Sequence, residues 1–219
     1  VEHASVAACI DALEKDGYTV TRLTPDQNGV LTAETIASAC RPDTVLVAVM
    51  MVNNETGARF PLEDAVCGIR QAAPRAHIHC DAVQAAGKLP LYAERWNFDS
   101  MAVSAHKIHG PKGVGALYIR RGVRLLPTHF GGKQEGGIRP GTEAAPLIAA
   151  FGAAVGELPP PHRQMPHYDT LRRHLLARLE GVEGIRFHIP PFGVPYIIHL
   201  SVPGLKSETM LHFLAQKEI

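Results

Sequence analysis

The amino-acid sequence predicts an α/β fold with a mostly parallel sheet covered by helices. Short apolar stretches, such as residues 44–52 and 99–103, have the length of buried strands. Amphipathic stretches with helical spacing, such as residues 3–15 and 61–72, alternate with the strands. Because a crossover between parallel strands places helices on the faces of the sheet, this alternation is typical of a helix-covered parallel sheet.

Each predicted element has a local signal in the sequence. The predicted helices cover residues 3–15, 32–39, 61–72, 143–155, 168–179 and 207–217. The predicted strands cover residues 18–23, 44–52, 77–80, 99–103, 114–119, 185–188 and 196–202. Thr32, Pro61 and Ser207 suit the first positions of their helices. The almost wholly apolar run 44–52 predicts a strand that is buried on both faces.

Length and composition predict one large domain followed by part of a second. The chain has 219 residues, of which 46% are hydrophobic and 20% are charged, so it can build a substantial core. We expect residues 1–157 to form a large α/β domain that lacks its N-terminal part. After the three prolines at 159–161, residues 158–219 are expected to begin a small α+β domain that is incomplete.

Charge and cysteine usage exclude several classes of protein. The net charge of +1 provides no basic field for nucleic acid or an anionic membrane, and no apolar run is long enough to span a bilayer. No signal-peptide pattern opens the chain. Four scattered cysteines without a Cys-x-x-Cys pair predict reduced, mostly buried thiols in a cytoplasmic protein, and no metal site.

Polar clusters follow three of the predicted strands, at residues 53–55, 81–84 and 104–107. In parallel α/β sheets, ligands bind beyond the carboxyl ends of the strands. Each cluster alone has an ordinary interpretation as a turn whose polar groups are satisfied. Their joint position at strand ends favours a functional site.

Lys107 is the chemically informative residue of the third cluster. A lysine is costly to bury unless it is paired or used, and a desolvated lysine is a nucleophile that forms an imine with an aldehyde cofactor. The alternative is a basic turn with Lys107 and Lys112 in water. An aldehyde cofactor with a pyridine ring needs a carboxylate at its ring nitrogen and a donor at its phenolic oxygen, and Asp81 and Gln84 are suited to these tasks.

Other side chains would complete such a cofactor site. Asn54 offers a second donor, and His3 offers a flat ring to stack on the cofactor. Ser104 and His106 offer donors for a phosphate group. Two of these residues have simple alternatives: Asp81 as a helix N-cap, and His3 as an exposed first-turn residue, which is the favoured interpretation of His3 taken singly.

The order of these motifs closely resembles that of the cysteine desulfurases, which are class-V aminotransferase-fold enzymes that use pyridoxal 5′-phosphate. The resemblance covers essentially the whole chain. Its motifs are Glu2-His3, Asn53-Asn54-Glu55, Asp81-x-x-Gln84-x-x-Gly87-Lys88, Ser104-x-His106-Lys107-x-x-Gly110-Pro111-Lys112-Gly113, Gly131-Gly132 and Arg139-x-Gly141-Thr142.

The resemblance implies fold type I of the pyridoxal-phosphate-dependent transferases, with residues 1–157 as the cofactor-binding domain. It implies a homodimer, in which Thr142 reaches the phosphate in the active site of the partner subunit. It also implies the remaining roles: Lys107 as the Schiff-base lysine, Asp81 at the pyridinium nitrogen, Gln84 at the phenolic oxygen, His3 stacked on the ring and active in proton transfer, Asn54 near the phenolic oxygen and the substrate carboxylate, and Ser104 and His106 at the phosphate.

The implied reaction converts L-cysteine to L-alanine and passes the sulfur to an enzyme cysteine as a persulfide. A sulfur-acceptor protein for iron–sulfur cluster or thio-cofactor synthesis is the implied partner. None of the four cysteines lies at the catalytic position of the family, and we expect that cysteine just beyond Ile219. The alternatives are a selenocysteine lyase, a cysteine sulfinate desulfinase, an aminotransferase or a non-catalytic scaffold subunit.

Overall fold

The computed structural model describes residues 1–219, which form six helices and two sheets. The helices are α1 (Ala4–Lys15), α2 (Ala33–Ser38), α3 (Leu62–Ala72), α4 (Ala145–Glu157), α5 (Pro161–Leu179) and α6 (Ser207–Ala215). The strands are β1 (Leu46–Met50), β2 (His77–Asp81), β3 (Ser100–Ser104), β4 (Gly115–Ile119), β5 (Arg186–His188) and β6 (His199–Ser201). No helix is both long and apolar enough to cross a membrane.

The larger sheet has the strand order β1-β2-β3-β4. Strands β1, β2 and β3 are parallel, whereas β4 is antiparallel to β3, so the predicted mostly parallel sheet is confirmed. The connection over residues 105–114 is too short for the crossover that a parallel partner needs, and therefore β4 turns back beside β3. Strands β5 and β6 form a separate antiparallel pair.

The hydrophobic core lies where α2 and α3 pack against the larger sheet. Helix α3 contributes an apolar face at helical spacing, and its residues Leu62, Ala65 and Ile69 are at most 1% exposed. Phe60 and Phe98 are also fully buried. Each fully buried large apolar side chain of this kind contributes about 2 kcal/mol through removal from water.

The expectation that the first apolar strand is buried on both faces is wrong. Strand β1 is shorter than predicted and lies at the edge of the larger sheet. Val45 is 62% exposed and Leu46 is 37% exposed, whereas Val49 and Met50 are buried. Only the carboxyl-terminal half of β1 therefore has neighbours on both faces.

Several predicted local features need correction. Residues 18–23 pair with no strand; instead, Arg22 of this segment binds Asp11 and Glu14 of α1. Helix α5 begins at Pro161 rather than at residue 168, with proline in its first turn. Thr32 caps α2 as predicted, but Ser207 does not cap α6, whose N-cap is Lys206.

The cysteines are all free, as the sequence predicts. The expectation that they are mostly buried is wrong, because Cys9 and Cys67 lie on exposed helix faces. Cys40 is half-buried and Cys80 is buried within β2. Burial is the main reason that the pKa of the Cys80 thiol is raised, which keeps this thiol protonated.

Asp99 fixes the amino-terminal ends of β2 and β3. It is 3% exposed, and it accepts hydrogen bonds from Arg70 Nη2 (2.5 Å), Arg120 Nε (3.0 Å) and the backbone N–H of Ile78 (2.7 Å). Burial alone would raise the pKa of Asp99, but the bonds from Arg70, Ile78 and Arg120 together lower it below its ordinary value.

We expect Asp99→Asn to lower the free energy of unfolding of the full-length protein by about 2–3 kcal/mol at pH 7, because the change leaves two arginines without their carboxylate. Because the pKa of Asp99 is lower in the folded protein than in the unfolded one, the ionised carboxylate stabilises the fold fully at pH values above the ordinary pKa of 3.8. This stabilisation is lost as the pH falls through the lower pKa of the folded state. Urea unfolding at pH 7 and pH 3 measures both effects, and the difference between the variants should shrink at pH 3.

The matched control is Asp43→Asn, which removes an exposed ion pair with Arg41. Its effect should stay below about 1 kcal/mol. Equal losses in the two variants would contradict the structural role of Asp99.

Candidate active site

The carboxyl ends of β1, β2 and β3 lie at one edge of the sheet. The register places Met50 beside Asp81 and Asp81 beside Ala102. The polar cluster at 53–55 follows β1, and the Lys107 turn follows β3. The prediction that the three clusters meet at one edge is confirmed.

Asp81 is 8% exposed at the end of β2. Its Oδ1 accepts a hydrogen bond from the backbone N–H of Val83 at 2.9 Å, so part of this carboxylate serves the following turn. Its Oδ2 has no hydrogen-bond partner within the chain. Because Asp81 as a whole is largely removed from water, its free oxygen is suited to a cationic or N–H group of a ligand.

The surroundings of Asp81 provide no protein cation at hydrogen-bond distance. His79 bonds to Ser100 Oγ at 2.7 Å instead. Burial lowers the pKa of His79, and this outweighs the opposing effect of the Asp81 carboxylate. His79 is therefore neutral near pH 7 and supplies no positive charge beside Asp81.

Two amide side chains also remain free at this edge. Gln84 and Asn54 are both half-buried, and neither side chain forms a hydrogen bond within the chain. The neighbouring Asn53 behaves differently, because its Oδ1 accepts the backbone N–H groups of Glu55 and Thr56 and shapes the turn after β1. The free amides are available to a ligand, whereas Asn53 is structural.

Lys107 lies in a 3₁₀ turn, Ala105–Ile108, that follows β3 directly. Ala105 and Ile108 point inward and are buried, so His106 and Lys107 are exposed. The sequence-based expectation of a buried lysine is therefore wrong for this chain. Ser104 Oγ and His106 Nδ1 lie 2.8 Å apart at the start of the turn, where both can also meet an anion.

His3 is held near the sheet edge through its neighbour Glu2. Glu2 Oε1 accepts the backbone N–H of Met50 at 2.7 Å, and Asn53 Nδ2 donates to the Val1 carbonyl at 3.0 Å. His3 itself caps α1, with its exposed ring accepting the N–H of Ser5 through Nδ1. The alternative interpretation of His3 from the sequence, an exposed residue at the start of a helix, therefore describes its local position.

Thr142 differs from the other predicted site residues. It is exposed in the glycine-rich loop before α4, and its side chain forms no hydrogen bond with any of them. The loop around it is held by a bond from the Gly141 N–H to Gln134 Oε1 at 3.3 Å. Its predicted role at the site of a partner subunit stays a prediction.

The free groups at this edge fit pyridoxal 5′-phosphate. Asp81 Oδ2 is an unpartnered acceptor on a largely buried side chain, suited to a ring N–H, and the Gln84 amide is an unpartnered donor. The Lys107 amine forms no hydrogen bond within the chain, and Ser104 and His106 offer donors for the phosphate. These are the kinds of group that the cofactor requires, at the ends of neighbouring strands.

Comparison with known proteins identifies the family. The family model of class-V aminotransferases matches residues 1–219, the whole chain. The chain belongs to the class-V aminotransferase family. Enzymes of this family use pyridoxal 5′-phosphate, which confirms the cofactor expected from the sequence.

Several proteins whose sequences are similar to this chain are named cysteine desulfurases. "Cysteine desulfurase 2" of Trichormus variabilis is 44% identical over 188 residues, which cover 84% of this chain and 46% of the relative. "Cysteine desulfurase" of Klebsiella pneumoniae is 44% identical over 225 residues, which cover all of this chain and 55% of the relative. The chain thus spans about half the length of these curated relatives, and the resemblance to cysteine desulfurases is confirmed.

Solved structures confirm the fold. A "NifS-like protein" superposes with a TM-score of 0.91 at 34% identity, over all of this chain and 60% of its own. DndA from Streptomyces lividans superposes with a TM-score of 0.83 at 34% identity, over 98% of this chain and 62% of its own. Both likenesses support fold type I.

Three residues at this edge received no role from the sequence. Glu2 is half-buried by its contact with β1, and burial, with a smaller contribution from Asp81, raises its pKa against the opposing effect of the Met50 N–H. Lys88 donates from Nζ to the Lys107 carbonyl at 3.0 Å. Tyr196 donates to the Gln84 carbonyl at 2.9 Å. Glu2 and Lys88 stand within recognisable motifs, whereas Tyr196 has no local signal.

We expect Gly87→Ala to destabilise the turn after Asp81. Gly87 has φ +71°, and a Cβ there would lie 2.7 Å from Leu158 Cδ1 and 3.2 Å from Ile108 Cγ2. Gly122→Ala is the matched control, because Gly122 has φ +89° with open space around it. Both variants carry backbone strain. The further decrease in the free energy of unfolding of Gly87→Ala, about 1–2 kcal/mol, therefore reports the steric conflict of the added Cβ with its neighbours. Thermal unfolding of the full-length proteins measures it, and equal losses would contradict the close packing.

Proposed function

We propose that the protein containing this chain is a pyridoxal-phosphate-dependent cysteine desulfurase. The observation that carries the proposal is the buried Asp81 carboxylate, whose Oδ2 is unpartnered at the strand edge that also carries the Lys107 turn. The relatives named cysteine desulfurase favour L-cysteine as the substrate over other amino acids.

Each free side chain has a task in this proposal. When bound, pyridoxal 5′-phosphate supplies an electron sink for the substrate Cα. Lys107 Nζ holds the cofactor and later carries the Cα proton of the substrate. Asp81 Oδ2 accepts the ring N–H and keeps that nitrogen protonated. The amides of Gln84 and Asn54 orient the phenolic oxygen, and Asn54 also lies near the substrate carboxylate.

Three more residues complete the proposed site. Ser104 and His106 donate to the phosphate, next to the first residues of the 3₁₀ turn. The His3 ring stacks on the cofactor and takes part in proton transfer. His3 Nδ1 is engaged with the start of α1, so Nε2 is the ring nitrogen that remains for this transfer.

The sulfur leaves L-cysteine through attack by a second thiolate. The C–S bond of the substrate breaks, an S–S bond forms with the attacking cysteine, and the substrate Cβ gains a proton to give L-alanine. The four cysteines of this chain are poor candidates for the attacking group. Cys80 is buried and Cys40 is half-buried, and the exposed Cys9 and Cys67 do not lie at the position that the resemblance to cysteine desulfurases implies for the catalytic cysteine. We therefore place the acceptor thiol outside these 219 residues.

The proposal extends to partners, location and domain organisation. A homodimer would bring the exposed Thr142 to the phosphate of the partner subunit, and a sulfur-acceptor protein would receive the persulfide sulfur. Four free thiols support a cytoplasmic location. The division into residues 1–157 and 158–219 is supported by the separation of the β1–β4 sheet from the β5–β6 pair.

The test measures L-alanine and sulfide released from L-cysteine by the full-length protein with pyridoxal 5′-phosphate and a thiol reductant. We expect Lys107→Ala to lower L-alanine formation by about a hundredfold or more, because it removes the group that moves the proton. Lys112→Ala is the matched control, since Lys112 is an exposed lysine of the same connection.

Two outcomes contradict the proposal. L-alanine formation by Lys107→Ala at the wild-type rate would remove Lys107 from the reaction. Faster turnover of L-selenocysteine or L-cysteine sulfinate than of L-cysteine would assign the protein to one of the alternative reactions.

A further inference from the structure

Three side-chain hydrogen bonds reach the backbone of the Gln84 turn (residues 82–88) and of the Lys107 turn (residues 105–110). Tyr196 Oη donates to the Gln84 carbonyl at 2.9 Å, and Lys88 Nζ donates to the Lys107 carbonyl at 3.0 Å. Gln164 Nε2 donates to the Gly87 carbonyl at 2.9 Å. Tyr196 and Gln164 belong to the part of the chain after α4, far from the turns in sequence.

Lys88 and Tyr196 also contact each other. Lys88 Nζ lies 5.4 Å from the centroid of the Tyr196 ring, within the range of a cation–π interaction. The two side chains therefore form a continuous link from the Gln84 carbonyl, through the Tyr196 phenol and ring, to the Lys88 ammonium and the Lys107 carbonyl. We call Lys88 and Tyr196 the brace.

We propose that the brace positions the Lys107 turn against the Gln84 turn, so that both turns meet one bound cofactor. This inference rests on the proposed function. One ring must meet the Lys107 amine at its aldehyde and the Gln84 amide at its phenolic oxygen. A displacement of about 1 Å between the two turns would weaken one of these contacts.

The surroundings of the brace favour a specific role over a chance contact. Lys88 is half-buried, and burial, followed by the charge of Lys107, lowers its pKa. A partly desolvated ammonium needs an acceptor, and the Lys107 carbonyl and the Tyr196 ring face it. Burial raises the pKa of Tyr196, so its phenol keeps the proton that it donates to Gln84. Tyr168 packs edge-to-face against Tyr196, with ring centroids 5.6 Å apart, and limits the movement of the Tyr196 ring.

The experiment uses the full-length protein with Lys88→Met, Lys88→Arg and Tyr196→Phe. Methionine keeps the length of Lys88 without its charge, and phenylalanine keeps the Tyr196 ring without its hydroxyl. We expect Lys88→Met to weaken the binding of pyridoxal 5′-phosphate about tenfold or more, and Tyr196→Phe about three- to tenfold, from the loss of one hydrogen bond each. Lys88→Arg should restore most of the affinity, because it keeps the charge and the donors.

Two further readouts separate positioning from general stability. The visible circular dichroism of the bound cofactor reports its orientation and should change in Lys88→Met and Tyr196→Phe. Hydrogen exchange of the cofactor-free protein should become faster at residues 105–110 and 82–88 and stay unchanged elsewhere. Lys15→Met and Tyr18→Phe, which alter exposed residues at α1 and just after it, are the matched controls.

The outcomes distinguish the brace from the proposed function. If the wild type binds the cofactor at Lys107, and the brace variants match the controls in affinity, dichroism and exchange, the brace is refuted while the proposed function stands. If Lys88→Arg fails to restore affinity or dichroism, the charge and donor role of Lys88 is refuted. If the wild type binds no cofactor, both proposals fail, even where exchange shows that the brace orders the two turns.

Discussion

The parallel register of β1, β2 and β3 is the constraint on which the candidate site depends. It places Met50, Asp81 and Ala102 side by side, so that the residues that follow each strand emerge at one edge. Because side chains alternate along a strand, a shift of one residue would turn Asp81 away and bring Cys80 to its place. The buried core against α2 and α3 holds this register, since such a shift would also expose apolar side chains of β2.

The two buried aspartates of the sheet differ in how many hydrogen-bond donors the protein provides for their carboxylates. Asp99, at the amino-terminal end of β3, is surrounded by two arginines and a backbone N–H. Asp81, at the carboxyl end of β2, receives only the N–H of Val83. A buried carboxylate is costly without donors. The first is therefore satisfied within the fold, and the second is suited to a ligand that brings its own N–H group.

The sequence predicts the features that depend on local chemistry. The apolar runs that stop at polar clusters predict where the strands end. They thereby predict the positions of Asp81, Gln84 and the Lys107 turn. The exposure of Lys107 could not be predicted, because it depends on a 3₁₀ turn that directs Ala105 and Ile108 inward. The contact of Tyr196 with Gln84 depends on tertiary packing between segments far apart in the chain.

The central claim is that this strand edge holds pyridoxal 5′-phosphate on Lys107, and covalent mapping tests it most directly. The full-length protein is mixed with the cofactor, reduced with borohydride, digested and examined by mass spectrometry for the modified lysine. The account predicts a single phosphopyridoxyl group on Lys107, with Lys88 and Lys112 unmodified. Modification of Lys88 or Lys112 instead, or of no lysine, would contradict it.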